Sequence, residues 1–238
     1  MAASSGSHND VPAPNATTKK GPVVCVFCGA SPGTSPAHME AARALAHAFH
    51  ANNISLVYGG GTVGLMGEVA RTLVSLSGAK AVHGIIPAAL VKYEQGYDPH
   101  APSAEHEARR LLDEKVFGRT TVVADMHTRK QMMAKEVIEG GDGSGFVALS
   151  GGYGTLEELM EVVTWNQLGI HGMGIVAYNV EGYWDGLMKW VRTAVTHGFV
   201  APPNAHILVE ALTAEEVVRS LKEYKKSEGR FDLEWNEK

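Results

Sequence analysis

A chain of 238 residues, 45% hydrophobic and 20% charged, has the composition of a globular protein and room for one large domain or two small ones. The net charge of −5 comes with no basic stripe, which argues against a nucleic-acid partner; the pairs Lys19-Lys20 and Lys225-Lys226 lie near the termini. No apolar run approaches the length of a membrane span, so no membrane partner is expected. Residues 1–21 lack the apolar segment of a secretory signal and read as a disordered tail.

In chain order, short apolar runs alternate with helical patterns. VVCVF (23–27) reads as a strand and residues 36–52 as a helix with Ala and Leu at helical spacing. ISLVY (54–58) is a second strand, and GGGTVGLMG leads into a helix ending near residue 77. AVHGII (81–86) is a third strand, closed by Pro87. Residues 93–104 read as a loop and about 103–114 as a short charged helix. TTVVA (120–124) is followed by a helix over 126–139 and a flexible linker, GGDGSG. FVAL (146–149) precedes a helix reaching about residue 168, GIVAY (174–178) a helix over 184–197, and ILVE (207–210) a last helix over 214–225.

Repeated strand–helix units with near-continuous apolar strands imply an α/β protein, a doubly wound parallel sheet covered on both faces. The expected organisation is a single domain over 22–225, between the tail at 1–21 and a charged tail at 226–238. In such sheets ligands sit beyond the carboxyl ends of the strands. The glycine clusters CGASPG, YGGGTVG and SGGYGT fall at three of those ends.

SGGYGT (150–155) is the strongest of the three. Bare backbone N–H groups at a helix N-terminus suit a phosphate. It is neither a dinucleotide fingerprint, since Glu157 occupies the third glycine position, nor a P-loop, since no Gly-Lys-Ser/Thr follows. Thr155-x-x-Glu158 has two readings of equal weight. One is a capping box, with Glu158 reaching back to the Thr155 N–H. In the other, Glu158 faces the ligand's sugar and stabilises an oxocarbenium-like centre or orients a water. In GGGTVGLMG, either Gly61, Gly64 and Gly67 allow close helix packing or Gly60 and Gly61 contact the ligand through their backbone.

Arg129 and Lys130 put two cations in the first turn of a helix, against its dipole, which calls for an anionic partner. That partner is Glu158 or a substrate phosphate. Cys25 and Cys28 are spaced C-x-x-C, yet they sit in an apolar strand with no second pair, so they read as small core residues in a reducing, cytoplasmic compartment. His127 and His171 lack a second ligand at helical spacing, so no metal is expected.

MHTRK (126–130) followed by SGGYGTLEELMEVVTWNQLGIH (150–171) closely resembles the Lonely Guy family of cytokinin riboside 5′-monophosphate phosphoribohydrolases, whose members also carry the description possible lysine decarboxylase. VFCGASPG, LVYGGGTVGLMG, IIPAALV and AYNVEGYWDGL extend the likeness over about residues 23–200. The resemblance implies a Rossmann-like fold, usually dimeric, and hydrolysis of the N-glycosidic bond of N6-modified AMP to free base and ribose 5-phosphate, without a cofactor. It carries over Arg129 and Glu158 as the catalytic pair. It gives Glu94, Lys130, Gly151, Gly152, Tyr153, Gly154, Thr155, Leu156, Glu157 and Thr164 as substrate-binding positions. Ser150 departs from the family's proline, and the segments at 93–120 and 139–145 are longer than usual. The alternatives are a non-catalytic protein binding a nucleotide or phosphorylated cofactor on the same fold, and a pyridoxal-phosphate decarboxylase using Lys130 or Lys135.

Overall fold

The computed structural model describes residues 20–91 and 113–233. All seven expected strands form: β1 (Val23–Phe27), β2 (Ser55–Tyr58), β3 (Val82–Pro87), β4 (Arg119–Val123), β5 (Gly145–Ala148), β6 (Gly174–Tyr178) and β7 (Leu208–Ala211). They make one sheet in the order β4-β3-β2-β1-β5-β6-β7, with every pair parallel. The expected helices are α1 (Pro36–Ala51), α2 (Gly64–Ser77), α5 (Met126–Ile138), α6 (Tyr153–Gln167), α7 (Asp185–Thr196) and α8 (Ala214–Glu223). Two short ones, α3 (Ala88–Val91) and α4 (Glu114–Phe117), flank residues 92–112, which lie outside the described residues together with the expected loop at 93–104 and most of the expected charged helix at 103–114.

Local chemistry sets the boundaries. Ser35 accepts the Ala37 N–H and Pro36 occupies the first turn of α1, where its missing N–H has no intrahelical partner to lose. Asp125 starts α5 by accepting the Thr128 N–H at 2.8 Å. Alternate strand residues feed two cores. Val24, Val26 and Cys28 pack with α1, α2 and α8, while Cys25 and Phe27 pack with α5 and α6. The three-residue spacing of the cysteines therefore puts them on opposite faces of the sheet, and no disulfide joins them. Burial also pushes the Cys25 thiol pKa up, so it is an inert core group.

The order of the strands locates the site. From β1 the chain winds outward through β2, β3 and β4, then returns to place β5 on the other side of β1. The ends of β1 and β5 form the switch point, where the crossovers leave on opposite faces and open a crevice. Two hydrogen bonds close the strand ends there, Leu149 N–H to Phe27 O at 3.0 Å and Gly29 N–H to Ser150 O at 2.9 Å. The segment expected as a flexible linker is pinned instead. The Gly141 N–H donates to Gly21 O, and Ser144 Oγ accepts from Val23 N–H while donating to Gly141 O. It fixes the entry to β5. The segment after α8 also packs down, since Arg230 donates to the carbonyls of Asn166 and His171.

Candidate active site

The SGGYGT turn follows β5 and opens α6. Gly152 holds the N-cap position and makes no side-chain cap, so the first N–H groups of α6 face outward without an internal acceptor. A β-carbon on Gly152 or Gly154 would meet nothing within 4 Å, whereas one on Gly151 would strike Thr155 Oγ1 at 2.1 Å. Gly151 thus permits the turn, and the other two bare the backbone to a ligand.

Glu158 is the sixth residue of α6 and Arg129 the fourth of α5. Their relative exposures are 7% and 8%, and Arg129 Nη2 lies 3.3 Å from Glu158 Oε1. That contact is an ion pair without hydrogen-bond alignment. Among the described residues, Glu158 Oε1 and Arg129 Nε have no hydrogen-bond partner. Buried polar atoms are nearly always satisfied, so this pair is built to meet something else. Burial, the largest influence, raises the Glu158 carboxyl above the usual range, against the opposing pull of Arg129. The capping-box reading is overturned. Thr155 lies inside α6, so the Glu158 carboxylate turns to Arg129.

A cavity of about 280 Å³ holds the pair. Gly152, Gly154 and Thr155 form its glycine-turn end, and Cys28, Met66, Leu90 and Met126 its apolar walls. A hollow of about 680 Å³ adjoins it across Gly29, Ala30 and Gly152, lined by Ser31, Thr34, His38, Ser150 and Tyr183. A groove of equal volume between α1 and α8 contains none of the motif residues.

Each expected site residue has a distinct placement. Lys130 Nζ is held by Glu157 Oε1 at 2.6 Å and Glu161 Oε1 at 3.0 Å. Burial alone would depress its pKa, but the two carboxylates outweigh that and hold it above the usual lysine value. The anionic partners of the two cations in the first turn of α5 are therefore carboxylates of α6. Tyr153 is 94% exposed, and Leu156 uses its N–H within α6, donating to Gly152 O. Thr164 lies two turns beyond the cavity, exposed, with its hydroxyl on Met160 O. Glu94 lies outside the described residues.

The glycine-rich turn before α2 has a packing role. The Leu65 and Met66 N–H groups both donate to Gly29 O, so two donors at the start of α2 are already used within the chain. Gly59 makes room for the Arg129 guanidinium, and Gly60 takes a φ of 76° against Ile86. His171 is a core histidine. Its Nε2 lies 2.9 Å from Val162 O, its Nδ1 accepts the Met173 N–H, and burial lowers its pKa to about 4.

A family model described as "Possible lysine decarboxylase" matches residues 66–221. Over 84% of its length the chain is 41% identical to a cytokinin riboside 5′-monophosphate phosphoribohydrolase of Arabidopsis thaliana, covering 83% of that protein. The chain belongs to the Lonely Guy family. It is also 54% identical, over 90% of its length, to a bifunctional cytokinin biosynthesis protein of Fusarium pseudograminearum (strain CS3096), and spans 42% of that longer protein. Among solved structures, a Moco carrier protein from Chlamydomonas reinhardtii superposes with a TM-score of 0.55 at 15% identity, covering 85% of this chain and 96% of that one. The molybdenum cofactor binding protein of Rippkaea orientalis gives 0.54 at 17% identity, over 87% and 98% of the two chains. At those identities the likeness speaks for the Rossmann-like fold alone. Arg129 and Glu158, which the MHTRK and SGGYGTLEE motifs contribute, meet in the cavity.

Proposed function

We propose that the chain is a phosphoribohydrolase of N6-modified adenosine 5′-monophosphates, releasing a cytokinin base and ribose 5-phosphate. The observation that carries this reading is the buried Arg129–Glu158 pair beside the uncapped start of α6. A 5′-phosphate docks on the N–H groups of Gly152, Tyr153 and Gly154, where the helix dipole favours an anion. Anchoring it there brings C1′ of the ribose towards Glu158, so positioning lowers the barrier. The C1′–N9 bond breaks with its electron pair going to the base, which takes up a proton. Water adds to C1′ and yields ribose 5-phosphate. The ionised Glu158 stabilises the developing positive charge or accepts the proton of the water. Arg129 acts as an electrostatic organiser, because its pKa is too high for a proton donor.

The names borne by the Arabidopsis relatives support the substrate class. No helix among the described residues is long and apolar enough to cross a membrane, and a cytoplasmic location is part of the same proposal. So is a homodimer, supported by the family resemblance and by the exposed apolar surface at Tyr153 and Leu156 beside the site.

The test is to incubate the protein with isopentenyladenosine 5′-monophosphate, its riboside and AMP, and to follow base release by chromatography. Release from a monophosphate and not from the riboside is expected. Arg129→Ala and Glu158→Ala should each abolish it while the fold persists, and near-normal turnover in Glu158→Ala would sink the assignment. Binding of AMP with no base released would favour a non-catalytic binding protein.

A further inference from the structure

The Gly151–Gly152 peptide is the hinge of the phosphate turn, and glycine is the residue with the most conformational freedom to lose. Three contacts immobilise it from behind. Gly29 N–H donates to Ser150 O at 2.9 Å. Ser150 Oγ, on a side chain 6% exposed, lies 3.0 Å from His38 Nδ1 in the first turn of α1. The Tyr183 hydroxyl donates to Gly151 O. The His38 and Tyr183 rings meet edge to face with centroids 5.8 Å apart, which links the second and third contacts.

In a trans peptide the C=O and the following N–H point in opposite directions. By holding the Gly151 carbonyl, Tyr183 therefore aims the Gly152 N–H away from itself. Gly152 lines both the Arg129–Glu158 cavity and the adjoining hollow, whereas Tyr183 lines the hollow alone.

The chain spends backbone strain to present Tyr183. Glu181 and Gly182, just before it, take φ values of 51° and 73°, and the first is unfavourable for a non-glycine residue. Asn179 braces the turn by accepting the Trp184 N–H at 2.7 Å and donating to Asp185 Oδ1 at 2.7 Å. Strain held in place by surrounding bonds is a mark of functional sites.

We infer that Tyr183, backed by the Ser150–His38 pair, is a positioning residue for the phosphoryl group: it presets the Gly151–Gly152 peptide and governs ligand affinity, not the rate of bond cleavage. This rests on the proposed reading of the site. Without the hydroxyl, the ligand itself must order the peptide on binding.

The variant Tyr183→Phe keeps the ring contacts and removes the hydroxyl. In calorimetric titration with ribose 5-phosphate its Kd should rise about tenfold, comparable to the ordering of one backbone residue. KM for the monophosphate should rise in parallel, with kcat changed by less than about threefold and the melting temperature close to that of the parent. Ser150→Ala should shift Kd in the same direction by a smaller factor, and it serves as the second variant if Tyr183→Phe does not fold. Parental affinity for ribose 5-phosphate in a folded variant of either kind would overturn the inference. If the parent binds ribose 5-phosphate but releases no base, the proposed reaction fails, and the Kd comparison still decides the role of Tyr183. A parent that binds no ribose 5-phosphate overturns both.

Discussion

Gly59 leaves the space that the Arg129 guanidinium occupies: a β-carbon at 59 would lie 2.0 Å from Arg129 Nη2, so any larger residue there must displace it. The end of β2 is therefore shaped around the guanidinium. Gly59→Ala should push Arg129 off its 3.3 Å contact with Glu158 while leaving the sheet intact. A misplacement of about 1 Å can cost on the order of 100-fold in rate. We expect a loss of that size in kcat/KM with an unchanged far-ultraviolet circular dichroism spectrum. A fully active Gly59→Ala protein would show that Arg129 need not sit where the structure holds it.

Glu158→Gln separates stability from catalysis. Burial raises the Glu158 pKa in the folded state, so folding favours the protonated carboxyl. That contribution is present below the ordinary glutamate range, about pH 4, and is lost as pH rises through the raised folded value. Glutamine mimics the protonated form at every pH. The variant should therefore gain stability relative to the parent as pH rises from about 4 towards 8, while turnover disappears. Denaturant midpoints across that range test this, and a difference that shrinks with rising pH contradicts it. In the parent, activity should rise with pH through an apparent pKa above that of free glutamate, if the ionised carboxylate is the working form.

Gly154→Ala tests whether the turn exists for a ligand. Gly154 lies in the first turn of α6 and has open space where a β-carbon would go. Alanine in place of a helical glycine stabilises by about 0.5–1 kcal/mol. The added methyl group stands where the phosphate is proposed to dock, so KM for the monophosphate should rise. Higher thermal stability combined with weaker binding is the expected pair of results. If KM is unchanged, the phosphate docks elsewhere.

How far the sequence predicts this molecule depends on the kind of contact involved. Period-two and period-3.6 patterns are local, so the strands and long helices lie within a residue or two of their expected positions. The glycine turns announce the ligand edge because bare backbone is itself a chemical signal. Partner choice is not local. Thr155-x-x-Glu158 has the spacing of a capping box as well as of a partner for Arg129, and the approach of α5 decides between them. Lys130 reads as a phosphate ligand, yet α6 brings Glu157 and Glu161 to it. Gly59 gives no signal of its own beside Gly60 and Gly61, and its reason is a side chain 70 positions further along the chain. Tyr183 and His38 give no sequence signal of their own, because their shared target is a backbone carbonyl and a serine at the end of β5.

His171 sets a stability limit on the acid side. Its ring packs against Phe146 with centroids 5.1 Å apart, and burial, with the nearby Arg230 charge, lowers its pKa from 6.5 to about 4. The folded state keeps the ring neutral, with Nε2–H donating to Val162 O and Nδ1 accepting from Met173 N–H. The unfolded chain binds a proton at higher pH than the folded one does. Stability from this group is therefore complete above about pH 6.5 and is lost as pH falls through about 4, an effect on the order of 3 kcal/mol. His171→Gln keeps a donor within reach of Val162 O and does not titrate. Urea midpoints at several pH values between 7 and 4 should fall more steeply for the parent than for the variant. Parallel slopes would mean that other groups, such as the carboxylates on the α5–α6 seam, account for the acid sensitivity. Because His171 lies at the far end of α6 from Glu158, the variant should retain base release at neutral pH.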